Sequence, residues 1–169
     1  MFSDPEKNVS QMQIPLGSKV CDIGSGSGFY TISVGKALAN TGKVFSIDIQ
    51  KNILSKIYNE AKEKNLTNIE VLYGDVEKQN GIPLSEKSID ICLLCNTLFQ
   101  VNNKKDALSE IKRILIPNGK LFFIEWSDSF AGIGPKKEFV LKEDDALKLF
   151  ETSGFVKEKN FKAGSHHYG

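Results

Sequence analysis

Short apolar runs alternate along the chain with segments in which apolar residues recur every three or four positions. The first pattern predicts buried strands and the second predicts amphipathic helices. Such alternation is typical of an α/β domain built on a parallel sheet. Strands are predicted at 19–23, 43–47, 69–73, 89–94, 120–126 and 155–161, with helices opening at Asp4-Pro5 and covering about 30–38, 54–61, 107–115 and 143–153.

A glycine-rich run follows the first predicted strand and precedes a predicted helix. Gly24, Gly26 and Gly28 alternate with serines, including Ser25. Glycine tolerates positive φ and has no Cβ, so such a loop turns sharply and lets a polar ligand approach its backbone. A dinucleotide fingerprint requires Gly-x-Gly-x-x-Gly, and the third position here is Phe29. The spacing therefore points to a cofactor whose amino-acid end lies on the loop.

Polar residues stand at the ends of four predicted strands. Asp22 and Asp48 end the first two, Asp75 follows the third, and Asn96 follows the fourth. In parallel sheets, ligands bind beyond the carboxyl ends of the strands. There Asp48 could accept bonds from a ribose diol and Asp75 from the amine of a base. Each aspartate also has an ordinary structural reading, as a loop cap, a solvated strand end or the start of a turn.

Composition narrows the class of protein. The 169 residues, with 40% hydrophobic content, fit one domain, residues 1–169. The net charge of +1 gives no overall positive field that would attract nucleic acid. Arg113 is the only arginine, which disfavours a polyanionic substrate. Cys92 and Cys95 lie in an apolar run, so we interpret them as residues on opposite faces of a buried strand rather than as a redox or zinc motif. We therefore expect no metal site. An odd number of cysteines, no visible signal peptide and no apolar run of about 20 residues predict a cytoplasmic protein without a membrane span.

Together these segments resemble class I S-adenosylmethionine-dependent methyltransferases, in the small group that includes ubiquinone/menaquinone-type enzymes. VCDIGSGSGFYTISVGKAL resembles motif I, GKVFSIDI the acidic-ended second strand, and ALSEIKRILIPNGKLFFIEW the helix, turn and fifth strand. The stretch VLYGDVEKQNGIPLSEKSIDICLLCNTL resembles the adenine-side region and fourth strand. The resemblance covers nearly the whole chain, from about residue 2 to 169.

The resemblance implies a role for each candidate residue. The glycine loop, with Asp22 close by, would lie under the methionyl part of S-adenosylmethionine, and Asn96 beside it. Asp48 would hold the ribose hydroxyls and Asp75 the adenine amine. S-adenosylhomocysteine would be the product. The implied cofactor-binding set is Asp22, Gly24, Ser25, Gly26, Gly28, Phe29, Tyr30, Asp48, Ile49, Gly74, Asp75, Val76 and Asn96.

The resemblance also implies a three-layer αβα Rossmann-like sandwich. The family sheet usually has seven strands in the order 3-2-1-4-5-7-6, mostly parallel, with an antiparallel C-terminal strand. The sequence ends at Tyr168-Gly169, where that strand would only begin. We therefore expect an incomplete seventh strand or a truncated sequence.

The methyl acceptor is less readable, and no catalytic residue can be assigned. His166 and His167 are the only histidines, and we expect them in a solvent-exposed tail. Tyr30, Gln100 and Glu125 are possible polar contacts, and Trp126 and Phe130 are candidate walls of an apolar acceptor pocket, although each fits a structural role as well. The 127–139 loop, with Gly-x-Gly-Pro, is a candidate substrate lid.

The expected function is methyl transfer to a small molecule. An S-adenosylmethionine-binding module without independent catalysis stays open, and an NAD-dependent oxidoreductase is disfavoured by the early third glycine. Nucleic-acid methylation is disfavoured because Asn96-Thr97-Leu98-Phe99 replaces the Asn/Asp-Pro-Pro-aromatic motif of amino-base methylases. The acceptor, its reacting atom and the oligomeric state stay open.

Overall fold

The computed structural model describes residues 3–130 and 132–169, so one residue of the 127–139 loop and the first two of the chain lie outside the described part. The described residues form six strands: β1 (Lys19–Ile23), β2 (Lys43–Asp48), β3 (Ile69–Tyr73), β4 (Ile89–Cys95), β5 (Leu115–Trp126) and β6 (His167–Tyr168). They form one sheet in the order β3-β2-β1-β4-β5-β6, in which only β6 runs antiparallel. This order confirms the expected Rossmann-like fold.

Helices cover both faces of the sheet because successive strand residues point to opposite faces. The α-helices are α1 (Pro5–Met12), α2 (Phe29–Ala37), α3 (Lys51–Glu63), α4 (Lys104–Ile114) and α5 (Glu143–Thr152), with short 3-10 helices at Leu98–Gln100 and Lys137–Phe139. One core cluster joins the sheet to α4 and α5, and the other joins it to α1 and α2. Cys92 belongs to the first cluster and Cys95 packs on the second, so the two thiols do lie on opposite faces.

The predicted turn at Pro117-Asn118-Gly119 lies inside β5 as an interruption of its pairing. Ile89 pairs with Leu115, but Ile91 pairs with Lys120, so four residues of β5 face one residue of β4. Asn118 adopts a left-handed conformation, φ 63°, which asparagine tolerates better than most residues. The strand therefore extends further toward the amino terminus than the pattern predicted.

The predicted strand at 155–161 is wrong. Its two aromatic ends lie on opposite faces of the sheet: Phe155 packs against Phe150, and Phe161 packs against Phe122. A strand would place these residues, six apart, on the same face. The segment instead crosses the edge of β5, and a cavity of about 810 Å³ lies between the two.

The expected antiparallel C-terminal strand is present as β6, two residues long. Glu125 pairs with Tyr168 and Trp126 pairs with His167 at the carboxyl end of β5. His167 is consequently buried, so the expectation that both histidines lie in an exposed tail is wrong. Among the described residues, no helix is long and apolar enough to cross a membrane.

Candidate functional site

The glycine-rich loop lies where the strand order reverses, at the carboxyl end of β1 between β2 and β4. The backbone N–H groups of Gly24 and Ser25 both donate to the carbonyl of Ile47, at 2.9 and 3.0 Å. Gly28 then caps α2 and donates to the Ser25 carbonyl at 2.8 Å. These bonds fold the loop onto the end of β2, at the kind of crevice where open α/β sheets bind ligands.

All three glycines have positive φ, but their surroundings differ. A Cβ on Gly24 would collide with the side chain of Thr97, and one on Gly28 would lie 2.7 Å from Ile57. A Cβ on Gly26 would meet only the Gly24 carbonyl oxygen, at 3.9 Å. Gly24 and Gly28 are therefore fixed by protein packing, whereas the tip of the loop at Gly26 is open to a ligand.

Asp48 organises the loop from the end of β2. Its Oδ2 accepts a bond from the N–H of Gly26 at 3.0 Å, and its Oδ1 accepts one from the N–H of Gln50 at 2.9 Å. A carboxylate has about four acceptor positions, so two more bonds can be accepted in this pose. Ile49, which follows it, is 59% exposed and presents an apolar surface beside the carboxylate.

Asp22 lies beneath the loop rather than on its surface. Thr31 Oγ1 donates to Asp22 Oδ2 at 2.6 Å and also contacts Ser46 Oγ at 3.2 Å. Burial raises the pKa of Asp22 to about 6, although the bonds from Thr31 oppose this shift. Asp22 therefore fastens the first turn of α2 to β1.

The two aromatic residues that begin α2 point in different directions. Phe29 is largely exposed, whereas Tyr30 is buried. The Tyr30 hydroxyl lies 2.8 Å from Ser3 Oγ and accepts a bond from Asn8 Nδ2 at 2.9 Å. Burial raises the pKa of Tyr30 to about 12, so its phenol serves as a neutral link between α2 and the N-terminal segment.

The end of β3 joins the same edge of the sheet. Gly74 donates its N–H to the Asp48 carbonyl at 3.2 Å, which places Asp75 next to the end of β2. Asp75 Oδ1 accepts a bond from the N–H of Glu77 at 3.1 Å, and Oδ2 lies 3.1 Å from Lys78 Nζ. Val76 packs against the core cluster below α4 and α5.

A clamp that the sequence did not reveal holds the segment after Asp75. Arg113 donates to the carbonyls of Leu84 and Ile82 at 2.8 and 2.9 Å. Its partner Glu110, 2.7 Å away, accepts bonds from the N–H groups of Ile82 and Asn80 at 2.9 and 3.1 Å. The only arginine of the chain thus has a structural role. The only sign of this role in the sequence is Glu110, which precedes Arg113 by three residues on the same helix.

The loop after β4 completes the site. Thr97 Oγ1 lies 3.3 Å from the Gly24 carbonyl and ties this loop to the glycine loop. Asn96 has φ 52° and donates its N–H to the Ile124 carbonyl. Within the described part of the chain, Asn96 Oδ1 and Ser25 Oγ are buried without a hydrogen-bond partner. Buried polar atoms are normally paired, so these two indicate a missing polar ligand between the loops.

Glu125, at the end of β5, supports the loop after β4 from below. It is fully buried, and its two oxygens accept bonds from the N–H groups of Phe99 at 3.0 Å and Trp126 at 3.1 Å. Burial raises the pKa of this carboxyl to about 7, against the effect of these backbone bonds. Gln100, the other polar candidate in this region, is exposed.

An aromatic group lies beyond Glu125, where β5 meets β6. The rings of Trp126 and His167 are 4.2 Å apart, and those of Phe130 and His166 are also 4.2 Å apart. His166 Nδ1 lies 2.9 Å from both carboxylate oxygens of Asp128. The candidate wall residues Trp126 and Phe130 thus each lie beside a histidine.

Comparison with known proteins identifies the family. A family described as "Methyltransferase domain" matches residues 16–155. The chain belongs to this family. A SAM-dependent methyltransferase from Aquifex aeolicus, known from its crystal structure, is 28% identical, with a TM-score of 0.89 over 99% of this chain and 87% of that one.

Curated relatives include demethylmenaquinone methyltransferases. The protein from Geobacillus sp. (strain WCH70) is 27% identical over 72% of this chain and 51% of its own length. The protein from Staphylococcus carnosus (strain TM300) is 30% identical over 70% of this chain and 47% of its own. The chain therefore spans about half the length of the curated relatives it matches. These similarities confirm the methyltransferase resemblance drawn from the motifs.

The structure brings most of the predicted residues to one edge of the sheet. The glycine loop, Asp48, Ile49, Gly74, Asp75 and Asn96 meet there, whereas Asp22, Tyr30 and Val76 turn toward the interior. Their contacts with a cofactor stay a prediction.

Proposed function

We propose that this chain transfers a methyl group from S-adenosylmethionine to a small-molecule acceptor. The observation on which the proposal rests is the pair of buried, unpartnered oxygens, Ser25 Oγ and Asn96 Oδ1, on adjacent loops at the switch point of the sheet. The amino-acid end of S-adenosylmethionine carries an ammonium and a carboxylate. Asn96 Oδ1 can accept from the ammonium, and Ser25 Oγ can donate to the carboxylate.

The rest of the cofactor fits the same edge. Asp48, held by the loop at Gly26, has acceptor positions for the two ribose hydroxyls, and Ile49 offers an apolar surface for the adenine. Asp75 stands one strand further, within reach of an adenine amine if its contact with Lys78 opens. S-adenosylmethionine supplies the methyl group, already activated on a sulfonium. The protein's task is to hold the acceptor in line and exclude water.

For the acceptor we propose a hydroxylated aromatic ring. Curated relatives are named demethylmenaquinone methyltransferases. A quinone ring is electron-poor, and it becomes nucleophilic only when it is reduced to the hydroquinone. The adjacent rings of Trp126 and His167 are suited to a flat, apolar ring with polar substituents. The reduced form of 1,4-naphthoquinone is a simple probe.

A small-molecule acceptor in a reducing compartment also fits the composition. Net charge +1 gives no overall positive field, and a single arginine gives few bidentate phosphate contacts, which favours a small molecule over nucleic acid. Cys21, Cys92 and Cys95 are free thiols, which supports a cytoplasmic location.

The second candidate is a cofactor-binding module that does not catalyse methyl transfer. The cyclase SpnF shares this fold, with a TM-score of 0.80 at 19% identity over 95% of this chain and 59% of that one. The fold alone therefore does not determine the reaction. Release of S-adenosylhomocysteine in the presence of the reduced naphthoquinone separates the two candidates.

Calorimetry tests the cofactor directly. S-adenosylmethionine and S-adenosylhomocysteine should bind with micromolar affinity, and NAD should not bind. Asp48→Asn should weaken S-adenosylhomocysteine by about 1–3 kcal/mol, roughly 5- to 150-fold, because the carboxylate loses an acceptor.

Asp90→Asn is the matched control. Asp90 Oδ2 also accepts a backbone bond, from Lys19 N at 2.7 Å, but lies near the amino ends of the strands. It should reduce stability without changing affinity. Tight NAD binding, or an affinity loss equal in both variants, would contradict the proposed site.

A further inference from the structure

The C-terminal strand presents a histidine whose outer nitrogen is buried and unpaired. His167 Nδ1 lies 3.0 Å from the Ser165 carbonyl oxygen, and a carbonyl can only accept, so Nδ1 carries the proton. In the neutral ring Nε2 is then an acceptor. Within the described part of the chain, Nε2 is buried without a hydrogen-bond partner. A buried ring nitrogen of fixed tautomer and no partner is costly unless a ligand uses it.

The ring stands on the same side of the sheet as the proposed acceptor pocket. His167 pairs across the strands with Trp126, and directly paired residues point to the same face. That face also holds Ile124 and Tyr30, in the core cluster with α1 and α2. Asn96, at the end of β4, bonds to Ile124. His167 pairs with Trp126, two residues beyond Ile124 on β5, so it lies roughly 7 Å further along the sheet than the bond between Asn96 and Ile124.

The candidate lid lies against this aromatic surface. Gly134 in the 127–139 loop packs so closely that a Cβ there would lie 2.7 Å from the Trp126 indole. Movement of this loop would uncover the indole of Trp126, whose ring lies beside the imidazole of His167. The covered state keeps water away from the ring, and burial lowers the pKa of His167, which favours the neutral, basic form.

We propose that His167 accepts, on Nε2, the proton that a hydroxylated aromatic acceptor loses on methylation. This inference rests on the proposed function. The acceptor oxygen or ring carbon gains the methyl group, and the electron pair of the broken carbon–sulfur bond stays on sulfur. The proton passes to Nε2, and the resulting imidazolium is stabilised by the Ser165 carbonyl on Nδ1.

Two other titratable groups face His167, and they act in opposite directions. The charge of protonated His166 lowers the pKa of His167, and the carboxylate of Asp128 raises it. His166 itself is bound to Asp128 and lies in the turn before β6, with φ 64°. It is therefore a matched control: a neighbouring histidine whose Nδ1 is paired with a carboxylate instead of a carbonyl.

The test is a pH–rate profile with reduced 1,4-naphthoquinone and S-adenosylmethionine, measured under anaerobic conditions by release of S-adenosylhomocysteine. His167→Gln should lower kcat by about 10²- to 10⁴-fold near neutral pH, as expected for loss of a general base. The deficit should shrink as the pH approaches the pKa of the hydroquinone, because the acceptor then ionises without help. His166→Gln should stay within threefold of wild type at every pH.

Two further measurements distinguish a proton acceptor from a structural residue. Added imidazole should partly restore turnover to His167→Ala but not to Asp48→Asn. In ¹⁵N NMR, Nε2 of His167 should have the shift of an unprotonated nitrogen and should move when the hydroquinone binds with S-adenosylhomocysteine. Calorimetry with S-adenosylhomocysteine and thermal unfolding check that each variant is folded.

Three outcomes would overturn three different parts of the proposal. A kcat of His167→Gln within threefold of wild type, or a deficit that is constant with pH, overturns the role of His167. Wild-type binding of S-adenosylhomocysteine without turnover of the hydroquinone overturns the acceptor class on which the role depends. Absence of S-adenosylhomocysteine binding overturns the proposed function itself.

Discussion

Replacement of Glu125 by glutamine tests the electrostatics of the site most directly. This carboxyl is fully buried, and burial raises its pKa from an ordinary value near 4.5 to about 7. A folded-state pKa above the unfolded value means that folding is favoured when the group is protonated. The contribution is fully present below about pH 4.5 and is lost as the pH rises through about 7.

The expected magnitude follows from the two pKa values. Each pH unit between them corresponds to about 1.4 kcal/mol, so ionisation of Glu125 costs the folded state about 3 kcal/mol by pH 8. Glutamine does not ionise. It keeps one acceptor oxygen for the N–H groups of Phe99 and Trp126, so the variant should be less stable by about 1–2 kcal/mol at pH 5. Relative to wild type, its free energy of unfolding should rise by about 3 kcal/mol between pH 4.5 and 8.

Urea unfolding at half-unit pH steps, with the slope m checked for constancy, measures this difference. Asp22, whose pKa is also raised, contributes equally to both proteins and cancels. Glu158→Gln is the control. Its carboxylate is exposed and bound to Lys120, which lowers its pKa, so the difference from wild type should be small and opposite in sign. A Glu125→Gln difference that does not vary with pH would refute the reasoning.

Two further changes test the supports of the site. Arg113→Met leaves the buried Glu110 without its cationic partner and should lower the free energy of unfolding, measured in urea, by about 3–5 kcal/mol. Lys112→Met, on the exposed side of α4, should change it by less than about 1 kcal/mol. Equal effects would contradict the clamp. Gly134→Ala combines positive φ with a collision against Trp126, so it should reduce turnover while sparing S-adenosylhomocysteine affinity. Gly132→Ala has a similar φ but lies in open space, so it should not reduce turnover. Equal turnover of the two variants would count against the lid.

The parts of the fold that follow from local pattern could be predicted from the sequence. The glycine loop and the five parallel strands are short-range signals, in which apolar runs and turn residues agree with each other. The strand prediction for 155–161 is wrong because alternating apolar and charged residues fit either a strand or an irregular segment that crosses the edge of the sheet. Only the positions of Phe150 and Phe122, distant in sequence, decide between them.

The structural roles of Arg113 and Glu125 depend on contacts with backbone, and only Glu125 was named beforehand, as a possible polar contact. Arg113 and Glu125 bind carbonyls and N–H groups of segments about 30 residues away, and a backbone partner leaves no signature in the sequence. His167 was expected in a tail because β6 is only two residues long and has no strand pattern. Its burial follows from pairing with Trp126, a tertiary contact.

The three strand-end aspartates show how position within a strand separates residues that look equivalent in sequence. Asp22 is the penultimate residue of β1, so its side chain still points to one face and is buried against Thr31. Asp48 is the last residue of β2, where the chain turns, and its carboxylate accepts bonds from the N–H of Gly26 in the glycine loop and the N–H of Gln50 in the turn. Asp75 lies beyond β3 and starts a turn of its own. A shift of one residue along a strand thus separates a carboxyl with a raised pKa from one that organises the loop. The proposed ribose contact therefore belongs to Asp48, and Asp22→Asn should affect the stability of the protein more than its affinity for the cofactor.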